Sequence, residues 1–197
     1  MSEPFSSSTL RVEQPRRGPF ARSQYRVMDG DGTLLALADQ IGERARSERL
    51  RTYFPGKSEL HARAVLLVTP EDETPLLVVD KEEGRMRTTV TRPDGEVVGT
   101  FRTERVGRQY TLLNGDGKKI GDISVDLARN NFTVKDTEGR RAGHVRKKWA
   151  GIATHLLTTA DKYTVEIDDP VPEPLRTLVV TTAIAMDMTL HESKDIT

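Results

Sequence analysis

The feature that most constrains this chain is an ungapped repeat. Residues 91–99 (TRPDGEVVG), 113–121 (LNGDGKKIG) and 135–143 (KDTEGRRAG) align position by position. Gly95, Gly117 and Gly139 stand 22 residues apart, and so do Gly99, Gly121 and Gly143. Each copy sits between alternating runs, such as residues 86–90 (MRTTV) and 98–102 (VGTFR). Alternation around Asp-Gly is a strong hairpin signal, and Glu-Gly is a weaker relative; the glycine supplies a positive φ in the turn. The second glycine, four residues on, predicts a bulge or a close backbone approach to a buried element. Residues 25–36 (YRVMDGDGTLLA) form a degenerate copy with Ala36 at the second glycine position. A 22-residue period also suits a solenoid. Each unit holds two short strands and no helix, so a meander of hairpins is the expectation.

A pass along the chain gives twelve strands: 24–28, 33–38, 62–69, 74–80, 86–92, 96–103, 108–114, 118–125, 131–136, 140–148, 152–157 and 162–168. Residues 39–58 break the pattern. Residues 40–51 have helical composition and Pro55-Gly56 ends them, which predicts a long connection with a short helix. Residues 172–191 (PEPLRTLVVTTAIAMDMTLH) are the one long helical candidate, with prolines at its start and Glu173 near the positive dipole end. Its apolar residues run all round the cylinder, which marks a helix buried in a core or crossing a membrane. The charge-free part, residues 177–186, is half of the roughly twenty residues a bilayer span needs. A core helix is therefore expected, and no transmembrane span. The fold class that follows is an all-β barrel with one central helix: about twelve antiparallel strands in hairpins, closed around the hydrophobic C-terminal helix. Closure also removes the sheet edges. Asp187, near the end of that helix, reads as a satisfied structural carboxylate or one at the barrel mouth, in preference to a catalytic group.

Domain limits follow from composition. Residues 1–22 hold three consecutive serines, Pro4, Pro15, Pro19 and the arginines Arg11, Arg16, Arg17 and Arg22, and read as a disordered basic N-terminal tail. Residues 23–192 form the barrel domain, and 193–197 a short polar tail. No secretory signal is visible. Ser2 replaces the glycine that myristoylation needs, and the absence of cysteine excludes palmitoylation, disulfides and thiolate metal sites. A cytoplasmic chain, peripheral to the membrane at most, is the expectation. Thirty Lys/Arg balance thirty Asp/Glu, and that neutrality argues against a nucleic-acid partner. His61, His144, His155 and His191 have no paired ligand spacing, and neither a nucleophile elbow nor a P-loop is present. The chain reads as no enzyme, with no cofactor.

Three C-terminal stretches carry a family resemblance: residues 145–151 (VRKKWAG), 159–167 (TADKYTVEI) and 178–187 (LVVTTAIAMD). Together they resemble the LURP-one-related and phospholipid scramblase families of the tubby C-terminal-like superfamily, over about residues 24–192. Met186-Asp187 corresponds to the Ile-Asp-like pair that ends the hydrophobic helix of those families. The resemblance implies a twelve-stranded barrel around the C-terminal helix. It also implies a lipid-linked role, by phospholipid head-group binding or by scramblase-like transbilayer movement. Scramblases carry an acidic calcium segment before the helix. Here Asp161 is the one weak calcium candidate, Lys162 follows it, and Thr159 stands where an acidic residue is expected. A hard cation wants six to eight oxygens, so no metal site is assigned.

Charge is unevenly spread. Residues 110–149 hold nine Lys/Arg against five Asp/Glu, while residues 150–197 hold three against eight. Lys118, Lys119, Arg140 and Arg141 occupy matching post-turn positions in two repeats, so stacked hairpins should bring them together at one barrel end. Arg146, Lys147 and Lys148 extend the basic cluster, and Trp149 beside them reads as core or as an interfacial anchor. These seven cations are the candidate lipid- or phosphate-binding residues. The expected function is a non-catalytic binding module for an anionic membrane surface or a protein partner. A structural barrel without a lipid role is the remaining class.

Overall fold

The computed structural model describes residues 5–14, 24–40, 63–81, 86–105, 108–148 and 162–192. Twelve strands close into one antiparallel barrel: β1 (Thr9–Glu13), β2 (Gln24–Asp29), β3 (Leu34–Gln40), β4 (Arg63–Val68), β5 (Pro75–Lys81), β6 (Arg87–Thr91), β7 (Val97–Arg105), β8 (Gln109–Asn114), β9 (Lys119–Val125), β10 (Asn131–Asp136), β11 (Arg141–Lys148) and β12 (Lys162–Ile167). Neighbours in sequence are neighbours in the barrel, and β1 closes it by pairing with both β12 and β2. One helix, α1 (Leu175–Glu192), fills the interior and packs mainly on β11, β12, β5 and β7.

The repeat is a turn of one geometry used four times. The amides of Asp29, Arg92, Asn114 and Asp136 donate to the carbonyls of Thr33, Glu96, Lys118 and Arg140 at 2.8–3.0 Å. Three residues after each of those four comes a glycine at positive φ, between 80° and 93°. That is a type I turn followed by a left-handed residue, the common three-residue hairpin loop. In three copies the residue opening the turn also caps it: Oδ1 of Asp29, Asn114 and Asp136 each accepts two turn amides.

The second glycine of each repeat does what its spacing predicts, in both senses. The ladder shifts register beside Gly99, Gly121 and Gly143. A Cβ on Gly143 would lie 2.5 Å from Val179 Cγ1, and one on Gly99 would lie 2.9 Å from Leu178 Cδ1. A Cβ on Gly121 would meet the Lys135 carbonyl at 2.4 Å and Leu175 Cδ1 at 3.4 Å. The glycines therefore let the first turns of α1 settle against the barrel wall. Ala36 takes the same bulge position in the degenerate copy and is buried.

Helix α1 is buried on every side from Leu178 to Thr189, as its all-round apolar sequence requires. Its buried threonines are satisfied locally: Thr182 and Thr189 hydroxyls donate to the carbonyls four residues back. Glu173 accepts from the amide and hydroxyl of Thr177 and so caps the first turn. Among the described residues no helix is long and apolar enough to cross a membrane.

One expectation fails. Residues 1–22 are not a disordered tail throughout, because Thr9–Glu13 is the strand that closes the barrel. Leu10 and Val12 are fully buried while Arg11 projects outward, a short alternation hidden among the serines, prolines and arginines around it. Its ordering is offset by ladders on both edges, which composition cannot register. The strand expected at 152–157, the helix at 40–51 and Trp149 lie outside the described residues.

Candidate functional site

Lys118, Lys119, Arg140 and Arg141 do meet. They line one cleft of about 680 Å³ at the hairpin end of the barrel, floored by Pro172, Pro174 and Leu175 at the start of α1. The stacking argument therefore holds for position. Charge is a different matter, because Asp136, Glu138, Asp168, Asp169 and Glu173 line the same cleft. Arg141 makes a bidentate pair with Asp168, Nε to Oδ2 at 2.6 Å and Nη2 to Oδ1 at 2.9 Å. Arg140 bridges Asp136 at 2.8 Å and Glu138 at 3.0 Å. Lys119 pairs with Asp122 at 2.7 Å. Of the four, Lys118 alone makes no ion pair among the described residues.

Proton affinities follow these partners. The Arg140 hydrogen bond holds the Asp136 carboxyl below its ordinary range, helped by the turn amides. The Arg141 hydrogen bond does the same for Asp168. Both guanidiniums are held further into their charged form by their carboxylates. Three of the four cations thus bring a counter-charge with them, and the cleft presents alternating rather than uniform charge.

Arg146, Lys147 and Lys148 do not join this cleft. They occupy the other end of β11, about 17–23 Å from Arg141 at strand rise. Arg146 and Lys148 point outward and are exposed. Lys147 instead lies over the ring of Tyr163, 5.4 Å from its centroid, within cation–π range. Tyr163 in turn donates to Asp187 Oδ1 at 2.8 Å, and Tyr25 donates to Asp187 Oδ2 at 2.6 Å. Asp187 is buried, so the expectation of a satisfied structural carboxylate is met by two hydroxyls from β12 and β2. Lys147, half-buried, leans on this network instead of projecting freely like its two neighbours.

Two long-range anchors escaped the sequence reading. Arg176, in the first turn of α1, donates to the carbonyls of Phe5, Ser6 and Ser7 at 2.9–3.3 Å and pairs with Asp169 at 2.9 Å. It ties the start of β1 to the helix. The Tyr25–Asp187–Tyr163 bridge ties the strands on either side of β1 at the other end. An isolated arginine and aspartate flanking an apolar run were the available signal, and neither names a partner more than 160 residues away.

Asp161, the weak calcium candidate, lies outside the described residues. Its neighbours in sequence turn to other tasks: Asp168 holds Arg141, and Glu166 faces outward on β12 opposite Thr9 and His144. Among the described residues no group of three or more His, Asp or Glu side chains is placed to hold a metal.

Comparison with known proteins agrees with this architecture. No curated protein matches the sequence. Among solved structures, the X-ray structure of a protein from Arabidopsis thaliana superposes with a TM-score of 0.56, covering 94% of this chain and 96% of that one. At 12% identity the likeness extends to the fold alone. The Scramblase family matches residues 73–193, from the turn before β5 to the end of α1. That span holds all three glycine repeats, the cleft and the filling helix, and it is more than half of the sequence: the chain belongs to the Scramblase family.

Proposed function

We propose that this barrel is a non-catalytic module that engages anionic phospholipid head groups at a membrane surface. The observation that carries the reading is a set of exposed cations that meet no carboxylate among the described residues, on a Scramblase-family barrel. Lys118, Arg146 and Lys148 make no ion pair among the described residues. Each basic residue near an anionic leaflet contributes about 1 kcal/mol, and the attraction weakens as salt shortens the screening length. The hairpin-end cleft fits less well as a seat for a lone phosphate, since carboxylates line it beside the cations. Its alternating charge suits a protein partner better.

Flotation of the purified protein with phosphatidylserine-containing and pure phosphatidylcholine vesicles tests the proposal. Co-flotation with the anionic vesicles alone, reversed by salt, is the expected result. Equal behaviour with both vesicle types sinks it. Transbilayer lipid movement is the second reading, favoured by the family match. Its assay is leaflet exchange of a labelled phospholipid in vesicles carrying the reconstituted protein, with and without calcium.

A further inference from the structure

The antiparallel register places more cations side by side than the sequence does. On the outer face, Lys148 of β11 stands opposite Lys162 of β12, Lys162 opposite Glu13 of β1, and Glu13 opposite Arg26 of β2. One row nearer the hairpin end, Arg146 stands opposite Thr164, and Thr164 opposite Arg11. All five cations are exposed. Lys162 bridges Glu13 at 3.2 Å. Arg11, Arg26, Arg146 and Lys148 make no ion pair among the described residues. Two carboxylates flank the rows: Glu166 lies one row nearer the hairpin end, and Asp39 lies diagonally from Arg26 on β3.

Like charges directly opposite each other cost stability in a sheet, as Lys148 and Lys162 do here. The patch is also spread out. Its cations cover four adjacent strands, about 14 Å at normal strand spacing, in two rows about 7 Å apart. It lies on the outer wall of a closed barrel, where neighbouring strands turn their outward side chains apart and not round one phosphate. Such a face matches an occupant that presents many separated negative charges over an area. It spans three of the twelve inter-strand steps of the barrel, and long Arg and Lys stems can bring their heads toward a common plane. We infer that the outer face of β11, β12, β1 and β2 is the surface that docks on an anionic phospholipid leaflet. This rests on the membrane-binding function proposed above and locates it, away from the hairpin-end cleft.

Two charge-matched variants of the full chain test this. One carries Arg11→Gln, Arg26→Gln, Arg146→Gln and Lys148→Gln. The other carries Lys118→Gln, Lys119→Gln, Arg140→Gln and Arg141→Gln. Both lose four positive charges, and circular dichroism with thermal melting checks that each remains folded. The readout is partitioning onto phosphatidylserine-containing vesicles at low salt. At roughly fivefold per cation, the strand-face variant should lose a hundredfold or more in partitioning, and the hairpin variant far less. Equal losses, or a larger loss in the hairpin variant, overturn the assignment while leaving membrane binding intact. A wild-type protein that ignores vesicles but binds polyglutamate overturns the membrane reading itself and makes the face a site for an acidic polypeptide.

Discussion

The stacked hairpin turns and the seam around β1 hold the same barrel by opposite means. In the turns, partners are close in sequence. Asp136 caps amides two and four residues on, and its carboxylate takes the guanidinium of Arg140. At the seam, partners are distant. Leu10 and Val12 wedge a strand between β12 and β2, Arg176 clasps the carbonyls of Phe5, Ser6 and Ser7, and Asp187 joins Tyr25 to Tyr163. The difference also sorts the cations. Arg140 meets its carboxylates within its own turn, so its charge is already answered. Arg11 and Arg26 join Arg146 and Lys148 on one face only when the seam closes, and the four make no ion pair among the described residues.

The seam should be the more sensitive of the two. Leu10→Ala, which empties a fully buried position, and Asp187→Ala, which takes the shared acceptor from the hydroxyls of Tyr25 and Tyr163, should each cost roughly 3 kcal/mol in urea unfolding. If either variant unfolds at the wild-type midpoint, the seam is not what closes the barrel.

Within the hairpins a smaller contrast separates the two glycines. Gly143→Ala drives a Cβ against Val179 and the Glu166 carbonyl and should cost about 2 kcal/mol through overpacking. Gly139→Ala meets open space and pays only for positive φ, about 1 kcal/mol. Reversal of that order in matched denaturation curves would show that turn conformation, rather than the fit of α1, limits these positions.

The smallest effect is in acid. Asp29, Asp136 and Asp168 have carboxyls held below their ordinary value near 3.9, mainly by the Thr33 amide, Arg140 and Arg141 respectively. A depressed folded value means their contribution is fully present above the ordinary value. It is lost as pH falls through the depressed one. Asp136→Asn keeps the Oδ1 acceptor, as Asn114 does in the preceding repeat, so the turn should form at all pH. Stability should then fall less between pH 4 and the depressed value than in the wild type, by a small margin given the exposure of the site. An unchanged acid profile would show that the other depressed carboxyls, Asp29, Asp72, Glu104, Asp126 and Asp168, set it instead of Asp136.

Much of the fold was legible because its information is local. An Asp-Gly or Glu-Gly pair with a second glycine four residues on specifies a turn and a bulge together. Ten residues without a charge, seven of them apolar and spread round the cylinder, specify a helix that must be covered on all sides. What was illegible depends on pairing at a distance. Residues 9–13 alternate correctly, yet five residues amid a Pro- and Ser-rich segment carry too little signal to outweigh their surroundings. The candidate cations were legible as residues but not as charges: nothing in the sequence tells that Arg141 will meet Asp168, or that Lys147 will lie over Tyr163.

By itself, then, the sequence determined the hairpins, the glycine seats for α1 and the all-round burial of that helix, since backbone conformation and apolar periodicity act over a few residues. The tertiary structure alone decided which strand closes the barrel, which cations are spent on carboxylates and which stand together on one face. Those outcomes depend on register between strands far apart in the chain, and a coulombic or hydrogen-bonding partner exists only once that register is set.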